Sequence, residues 1–323
     1  MNDYKTPNML TYENNQDVAT QLVPSRMTIE TVFGCNADCV MCVVHQPSRR
    51  KKGIMSMELF RKIIDDMAPY APQIEMLDLF CLGEPLLDRH LFERMSYARE
   101  NGFRNMAIST NAQLLTADKQ KQLLESGIET VIFSLDGIKK ETHEGIRRNL
   151  NYDTVIENCL NMIKMRTEGN YKTRFVVRFI RQAANWNEWD DYKTFWQQHI
   201  DPEQHDLLIR YDAHTWGGQL MTKDVRFSEQ ENERSPEVEA MACYQIFDIL
   251  YILADGSVPM CSEDWLHPIH NYGNANDQHP LDIYNSKKFN NTRNVHLKGT
   301  KNCIQHCSEC TMLYSRTTRK IYA

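Results

Sequence analysis

The sequence predicts an α/β fold of parallel strands and helices, followed by a smaller C-terminal domain. Two observations support this prediction. Between residues 27 and 212, short β-prone runs alternate with longer helical patterns, as in sheets whose strands are joined by helical crossovers. Beyond residue 240, the turn dipeptide Asp255-Gly256 separates two β-prone runs and so indicates a β-hairpin.

The predicted elements follow one another in a regular order. The strands are the β-rich runs Met27–Val32, Ile74–Phe80, Asn105–Ser109, Thr130–Leu135, Arg174–Ile180 and Leu207–Arg210. The helices between them are Met57–Met67, Leu91–Glu100, Ala117–Ser126, Tyr152–Met165 and Trp189–His199. The hairpin comprises Ile246–Leu253 and Ser257–Met260, and a helix is expected at Leu281–His296. The chain therefore divides into an N-terminal extension (1–26), a strand–helix domain (27–212), a linker (213–240) and a C-terminal domain (241–323).

Composition excludes several classes of protein. The 323 residues are 41% apolar and 25% charged, which is typical of a soluble globular protein. A net charge of -6 argues against a nucleic-acid partner, because phosphate binding requires a basic surface. No apolar stretch reaches the about 18 residues of a membrane helix, and the polar N-terminus lacks the pattern of a signal peptide. We therefore expect a cytoplasmic protein without a membrane partner.

The ten cysteines point to metal chemistry, because disulfides are rare in a reducing cytosol. Cys35, Cys39 and Cys42 follow the first predicted strand with the spacing C-x3-C-x2-C. Thiolates are the usual ligands of iron–sulfur clusters. Three cysteines leave one iron of a [4Fe–4S] cube open, so that another molecule can chelate it.

This spacing is the signature of the radical S-adenosylmethionine (SAM) superfamily, which the sequence resembles. The resemblance implies a partial (β/α)6 TIM-like barrel and a [4Fe–4S] cluster on Cys35, Cys39 and Cys42. It also implies reductive cleavage of SAM to a 5′-deoxyadenosyl radical, which abstracts hydrogen from a substrate carbon. In one departure, the residue before the last cysteine is Met41, where the superfamily often has an aromatic residue.

Further segments resemble the elements with which the superfamily binds SAM. Gly83-Glu84-Pro85 resembles its Gly-Gly-Glu-Pro element, with Leu82 in place of the first glycine, and implies that Glu84 accepts hydrogen bonds from the SAM amino group. The residues that resemble its ribose and carboxylate contacts are Ser109, Asn111, Ser134 and Asp136. Arg147 resembles an arginine that pairs with the SAM carboxylate. Ordinary turn and capping residues, and a surface salt bridge for Arg147, are the alternatives.

The C-terminal cysteines resemble a SPASM domain in its shortened, twitch-like form. This resemblance implies that a second, auxiliary [4Fe–4S] cluster with no open iron is held by Cys243, Cys261, Cys307 and Cys310. A structural zinc ion on the same four thiolates is the alternative. Some relatives carry an aspartate directly after the hairpin cysteine, where this chain has Ser262, followed by Glu263 and Asp264.

Of the three cysteines outside the two ligand sets, Cys81 and Cys303 are candidates for other roles, and Cys159 lies within a predicted helix. Each of the two candidates is a structural thiol or a hydrogen-atom donor, and Cys303 is also an alternative cluster ligand. A fully ligated auxiliary cluster is shared with aminocyclitol dehydrogenases of the superfamily. We therefore expect dehydrogenation of a sugar- or aminocyclitol-type alcohol, with the auxiliary cluster as electron acceptor and a flavodoxin- or ferredoxin-type electron donor.

Three other functions remain open. One is a radical epimerase of a sugar or peptide, with Cys303 or Cys81 as hydrogen donor. Another is a maturase of a ribosomal peptide, although such enzymes often carry an N-terminal peptide-binding domain, for which the residues before the first strand are too few. The most remote is a non-catalytic metal-cluster protein.

Overall fold

Six parallel strands in chain order form the main sheet of the computed structural model. The structure describes residues 5–14, 21–220, 225, 235–264, 271–317 and 319–322. The six strands are β1 (Arg26–Ile29), β2 (Met76–Asp78), β3 (Met106–Thr110), β4 (Thr130–Ser134), β5 (Arg174–Arg181) and β6 (Leu207–Asp212). Each pairs in parallel with the next strand along the chain. This is the open arrangement expected of a partial (β/α)6 barrel, so the predicted fold class is confirmed.

Five helices connect these strands, close to the predicted positions. They are α1 (Met57–Met67), α2 (Leu91–Glu100), α3 (Ala117–Glu125), α4 (Tyr152–Glu168) and α5 (Trp189–Trp196). The α1 helix has the features on which the prediction of helices depends. The Ser56 hydroxyl accepts a hydrogen bond from the Leu59 backbone N–H at 3.1 Å, and one apolar face is buried. The other helices are Pro7–Asn14, Lys140–Ile146, Pro236–Ala240, Gln245–Asp248, Pro280–Tyr284, Lys287–Leu297, Gln305–Ser308 and Met312–Thr317.

The C-terminal strand joins the barrel sheet instead of pairing only within a hairpin. The predicted turn forms, since the Leu253 N–H donates to the Ser257 carbonyl at 2.9 Å. However, β7 (Ile249–Ile252) lies parallel to β1, with Arg26 opposite Ile249. The backbone N–H and C=O groups at the free edge of β1 need hydrogen-bond partners, which β7 supplies. A turn signal between two neighbouring runs does not predict a pairing with a strand so distant in the sequence.

Two further differences concern the C-terminal helix and the second sheet edge. The helix expected at Leu281–His296 is divided into Pro280–Tyr284 and Lys287–Leu297, because Ser286 caps the second helix with its hydroxyl. The strand β8 (Lys320–Tyr322) pairs antiparallel with β6. Within the described parts of the chain, no helix has the length and apolar character to span a membrane.

A buried ion pair fixes α4 to the lower end of the sheet. The Arg166 guanidinium on α4 donates to the Asp206 carboxylate at 2.6 Å, and both side chains are almost fully buried. The same carboxylate accepts the backbone N–H groups of Phe175 at 2.7 Å and Asp201 at 2.9 Å. Asp206 therefore satisfies one backbone N–H at the start of β5 and one in the segment before β6, as well as the buried cation.

Replacing this carboxylate is expected to destabilise the fold strongly. Asp206→Ala leaves the Arg166 cation buried without its partner and should lower the free energy of unfolding by about 3–5 kcal/mol. Denaturant titration of the full chain measures the change. Asp277→Ala, which removes an exposed carboxylate, is the control and should change the free energy by less than about 0.5 kcal/mol. Equal stabilities of the two variants would contradict this role.

Candidate active site

The cysteine loop lies against the end of β2 through a close backbone approach. Gly34 and Gly83 form an isolated parallel bridge, and the Glu84 N–H donates to the Gly34 carbonyl at 3.0 Å. A Cβ atom on Gly83 would lie 2.2 Å from the Val32 carbonyl oxygen, so only glycine permits this contact. The predicted Gly-Glu-Pro element is thereby placed beside the first cysteine.

The other side of the loop is held by three more segments. Asp38–Cys39 pairs antiparallel with Arg147–Arg148. The Trp216 indole N–H donates to the Met41 carbonyl at 2.8 Å, and His45 contacts the Ala37 carbonyl at 2.7 Å. These contacts fix the loop conformation through backbone groups, which is why the spacing of the cysteines matters more than the residues between them.

The three N-terminal cysteines line one cavity of about 280 Å³. Burial raises the pKa of Cys35, that of Cys39 to about 12 and that of Cys42 to about 11. Iron binding would instead hold these thiols as thiolates and release their protons. Among the described residues, no three Cys, His, Asp or Glu side chains converge closely enough for a single metal ion. Three thiols around a polar cavity fit a cluster, which is wider than one ion.

Glu84 lies at the centre of the expected SAM-binding residues. Its carboxylate is buried and accepts hydrogen bonds from the Thr110 hydroxyl at 2.7 Å, the Asn111 N–H at 2.8 Å and the Leu86 N–H at 3.1 Å. Burial raises the pKa of Glu84, although these donors oppose the rise. A carboxylate offers about four acceptor positions, so one remains for a ligand in the cavity.

The expected residues on β3 and β4 are held together by an arginine on β5. Ser109 and Ser134 lie 3.1 Å apart through their hydroxyl oxygens, and the Arg178 guanidinium donates to them at 2.8 Å and 2.5 Å. Arg178 has no ion-pair partner among the described residues, and burial together with Arg147 lowers its pKa. In the sequence, Arg178 is one residue of the predicted strand Arg174–Ile180, and it was not predicted as a site residue.

Arg147 is already paired within the protein. Its guanidinium lies 2.7 Å from the Asp136 carboxylate, which also accepts the Ile180 N–H at 2.6 Å. Burial opposes the charge of Arg147, but Asp136 and nearby thiols raise its pKa. Arg147 lines the cavity, whereas Asp136 is fully buried behind it. Asn111 also lines the cavity, with its amide 2.9 Å from Asn36 and 3.8 Å from the Cys35 sulfur.

The four C-terminal cysteines that were predicted as ligands line a second cavity together. These are Cys243, Cys261, Cys307 and Cys310. Burial raises the pKa of Cys307 to about 12 and those of Cys261 and Cys310 well above the ordinary value. Four thiols without a disulfide, of which two are buried and two partly buried, fit an iron–sulfur cluster with all irons ligated.

The two remaining candidate cysteines differ in position. Cys81 lines the first cavity, and burial raises its pKa well above the ordinary value, so its thiol stays protonated. Cys303 is exposed and lines neither this cavity nor the second one. The structure therefore brings Cys81, but not Cys303, to the expected reaction site.

The buried residue Glu263 is common to the linings of both cavities and is paired with a partly buried histidine. Glu263 lines both, and its carboxylate lies 2.7 Å from the His214 imidazole, just after β6. Burial alone would raise the pKa of Glu263, but His214, Ser262 and His306 together outweigh it and the pKa is lowered. The Thr215 hydroxyl donates to the Glu309 carbonyl at 2.6 Å. The start of the expected linker thus packs against the C-terminal domain, while its residues 221–224 and 226–234 lie outside the described residues.

Comparisons with known proteins agree with this geometry. Residues 29–178 match the model of the radical SAM superfamily, and residues 243–311 match that of the SPASM iron–sulfur cluster-binding domain. A cofactor-modifying protein for tungsten-containing aldehyde ferredoxin oxidoreductase from Pyrococcus furiosus is 28% identical over 161 residues, 50% of this chain and 44% of its own length. Fe-coproporphyrin III synthase from Methanosarcina barkeri is 37% identical over 113 residues, 35% of this chain and 27% of its own. The chain thus matches less than half the length of these curated relatives.

Solved structures show the same fold over nearly the whole chain. BtrN in complex with AdoMet and 2-DOIA aligns with a TM-score of 0.60 and 18% identity, covering 90% of this chain and 94% of BtrN. Streptococcus suis SuiB, bound to its precursor peptide SuiA, aligns with a TM-score of 0.62 and 13% identity, covering 95% and 73%. The cysteine loop, the two cavities and the two matched domains lead to one conclusion: the chain belongs to the radical SAM superfamily and carries a C-terminal SPASM domain, with SAM and iron–sulfur clusters as its cofactors.

Proposed function

We propose that this enzyme dehydrogenates a sugar- or aminocyclitol-type alcohol. The observation that carries the proposal is the second cavity, in which four cysteines account for every iron of one [4Fe–4S] cluster. Without an open iron, such a cluster is suited to accept an electron and not to bind substrate. BtrN, whose structure contains 2-DOIA, covers almost the whole chain and supports a small-molecule substrate.

The residues at the two sites would then have separate tasks. Cys35, Cys39 and Cys42 would hold the first cluster, which together with SAM supplies a 5′-deoxyadenosyl radical that abstracts hydrogen from the substrate carbon. Cys243, Cys261, Cys307 and Cys310 would hold the second cluster as the one-electron acceptor. Glu263 lines both cavities, and His214, which pairs with it, lines the first, where a hydroxyl proton would have to leave as the carbonyl forms.

Glu84 and Arg178 carry charges complementary to the two ends of the methionine part of SAM, and neighbouring residues of β3 hold them. Thr110 holds the Glu84 carboxylate, and Ser109 holds the Arg178 guanidinium. Glu84 suits the amino group of SAM. Arg178, which has no carboxylate partner in the described residues, suits the carboxylate better than Arg147, which is paired with Asp136.

The exposed Arg148 beside Cys39 supports the electron donor that we expect. Arg148, Cys39 and Cys42 line a further cavity of about 240 Å³, and the same two cysteines also line the first cavity. Flavodoxins and ferredoxins are the class of donor proposed, and an exposed cation next to the first cluster favours the approach of an acidic partner, although the chain as a whole carries a net charge of -6.

The proposed reaction is tested by product mass and solvent deuterium. Anaerobically reconstituted enzyme with dithionite and SAM is incubated with individual sugars and aminocyclitols. One substrate should increase 5′-deoxyadenosine formation and yield a product two mass units lighter, with no deuterium from D2O. Cys243→Ala should still form 5′-deoxyadenosine but give little carbonyl product.

An epimerase would give the opposite result. The position of the Cys81 thiol in the lining of the first cavity favours this second function. The epimerase product would keep the substrate mass in water, gain one deuterium in D2O, and disappear in Cys81→Ala. That outcome would replace dehydrogenation by the second candidate function.

Arg178→Gln should weaken SAM binding by about 10- to 100-fold, because a buried charge-assisted hydrogen bond is lost. Isothermal titration calorimetry with SAM and with decarboxylated SAM measures this effect. The wild-type enzyme should prefer SAM, and the variant should bind both equally.

Arg174→Gln, at the start of the same strand, is the matched control and should keep the preference for SAM. If Arg178→Gln binds SAM as tightly as the wild-type enzyme, Arg178 does not contact the carboxylate of SAM.

A further inference from the structure

A buried histidine touches two of the four cysteine segments of the second cavity. His296 lies in the last turn of the helix Lys287–Leu297, and only 1% of it is exposed. Its Nδ1 atom lies 3.2 Å from the backbone nitrogen of Cys243. Its Nε2 atom lies 3.6 Å from the sulfur of Cys307. Both ring nitrogens are therefore engaged by segments that carry proposed cluster ligands.

These two contacts determine where the imidazole proton lies. A backbone N–H can only donate, so Nδ1 of His296 accepts the hydrogen bond from Cys243 and carries no proton. The proton of the imidazole then lies on Nε2, which faces the Cys307 sulfur. The ring thus presents a neutral donor to a cysteine sulfur, and its orientation is fixed by the main chain of a second cysteine.

We propose that His296 is a positioning residue that tunes the auxiliary cluster, donating from Nε2 to the Cys307 sulfur and raising the reduction potential of the cluster. This inference rests on the proposed auxiliary cluster. A hydrogen bond to a ligand sulfur withdraws negative charge and so favours the reduced cluster, which carries more of it. A higher potential makes the cluster a better acceptor for the electron of a substrate radical.

Two substitutions separate the two halves of the imidazole. His296→Asn keeps an acceptor near the position of Nδ1 but removes the donor to Cys307. His296→Gln keeps an amide donor near the position of Nε2 but removes the acceptor for Cys243. If His296 tunes the cluster, the potential depends on the donor to Cys307, which only His296→Gln keeps. If His296 merely fills space, the two variants should change the potential to the same extent.

The experiment measures the potential of the auxiliary cluster alone. Each substitution is made in the full chain together with Cys35→Ala, Cys39→Ala and Cys42→Ala, so that about four irons per chain report only the second cluster. Redox titration followed by electron paramagnetic resonance should give a more negative midpoint potential for His296→Asn than for the triple variant. The midpoint potential of His296→Gln should lie close to that of the triple variant.

Three outcomes would overturn the inference in distinguishable ways. No iron in the triple variant itself refutes the proposed auxiliary cluster as well. A cluster with the same potential in His296→Asn, or equal shifts in the two variants, refutes the tuning role only. As a measurement that needs no folded variant of His296, pulsed resonance on the reduced triple variant grown with 15N-histidine should show coupling to one imidazole nitrogen, and its absence would refute the contact.

Discussion

The arrangement of the site depends on the buried carboxylate of Glu84. It accepts hydrogen bonds from the end of β3, while its own backbone N–H is bonded to Gly34 at the start of the cysteine loop. One residue therefore connects the second strand, the third strand and the loop of the first cluster. The approach is so close that Gly83 admits no side chain. Because these are backbone and carboxylate contacts, the position of the cysteines is determined before any cofactor binds.

The C-terminal domain completes this site from the opposite side. β7 extends the barrel sheet beside β1, and Ser262 and Glu263, which follow it in the chain, line the first cavity. Glu263 and the residue Met312 line both the SAM cavity and the cavity of the four C-terminal cysteines. The linings of the two proposed cluster sites thus share these two residues.

The sequence allowed prediction of those parts of the site that depend on local spacing. The three N-terminal cysteines, the Gly-Glu-Pro element and the polar strand ends are short patterns, and Glu84, Ser109, Asn111 and Ser134 line the expected cavity. The parallel pairing of the six barrel strands also followed from the alternation of strands and helices.

The residues that the sequence did not reveal act across long separations. Arg178 reads as an ordinary strand residue until Ser109 and Ser134, 69 and 44 positions away, are brought to it. His214 and Glu263 form a pair only because the chain after β6 packs against the segment that follows the predicted hairpin. The parallel pairing of β7 with β1 joins residues far apart in the chain, so the local hairpin signal, whose turn forms, did not reveal this second partner.

We propose that this one chain holds two clusters with different tasks. Mössbauer spectroscopy counts and distinguishes such clusters. Protein reconstituted with 57Fe should show two [4Fe–4S] clusters in equal amounts, of which one acquires a distinct iron site on addition of SAM. The other cluster should not respond to SAM and should disappear in Cys307→Ala. A single cluster, or zinc in place of the second one, would contradict the account.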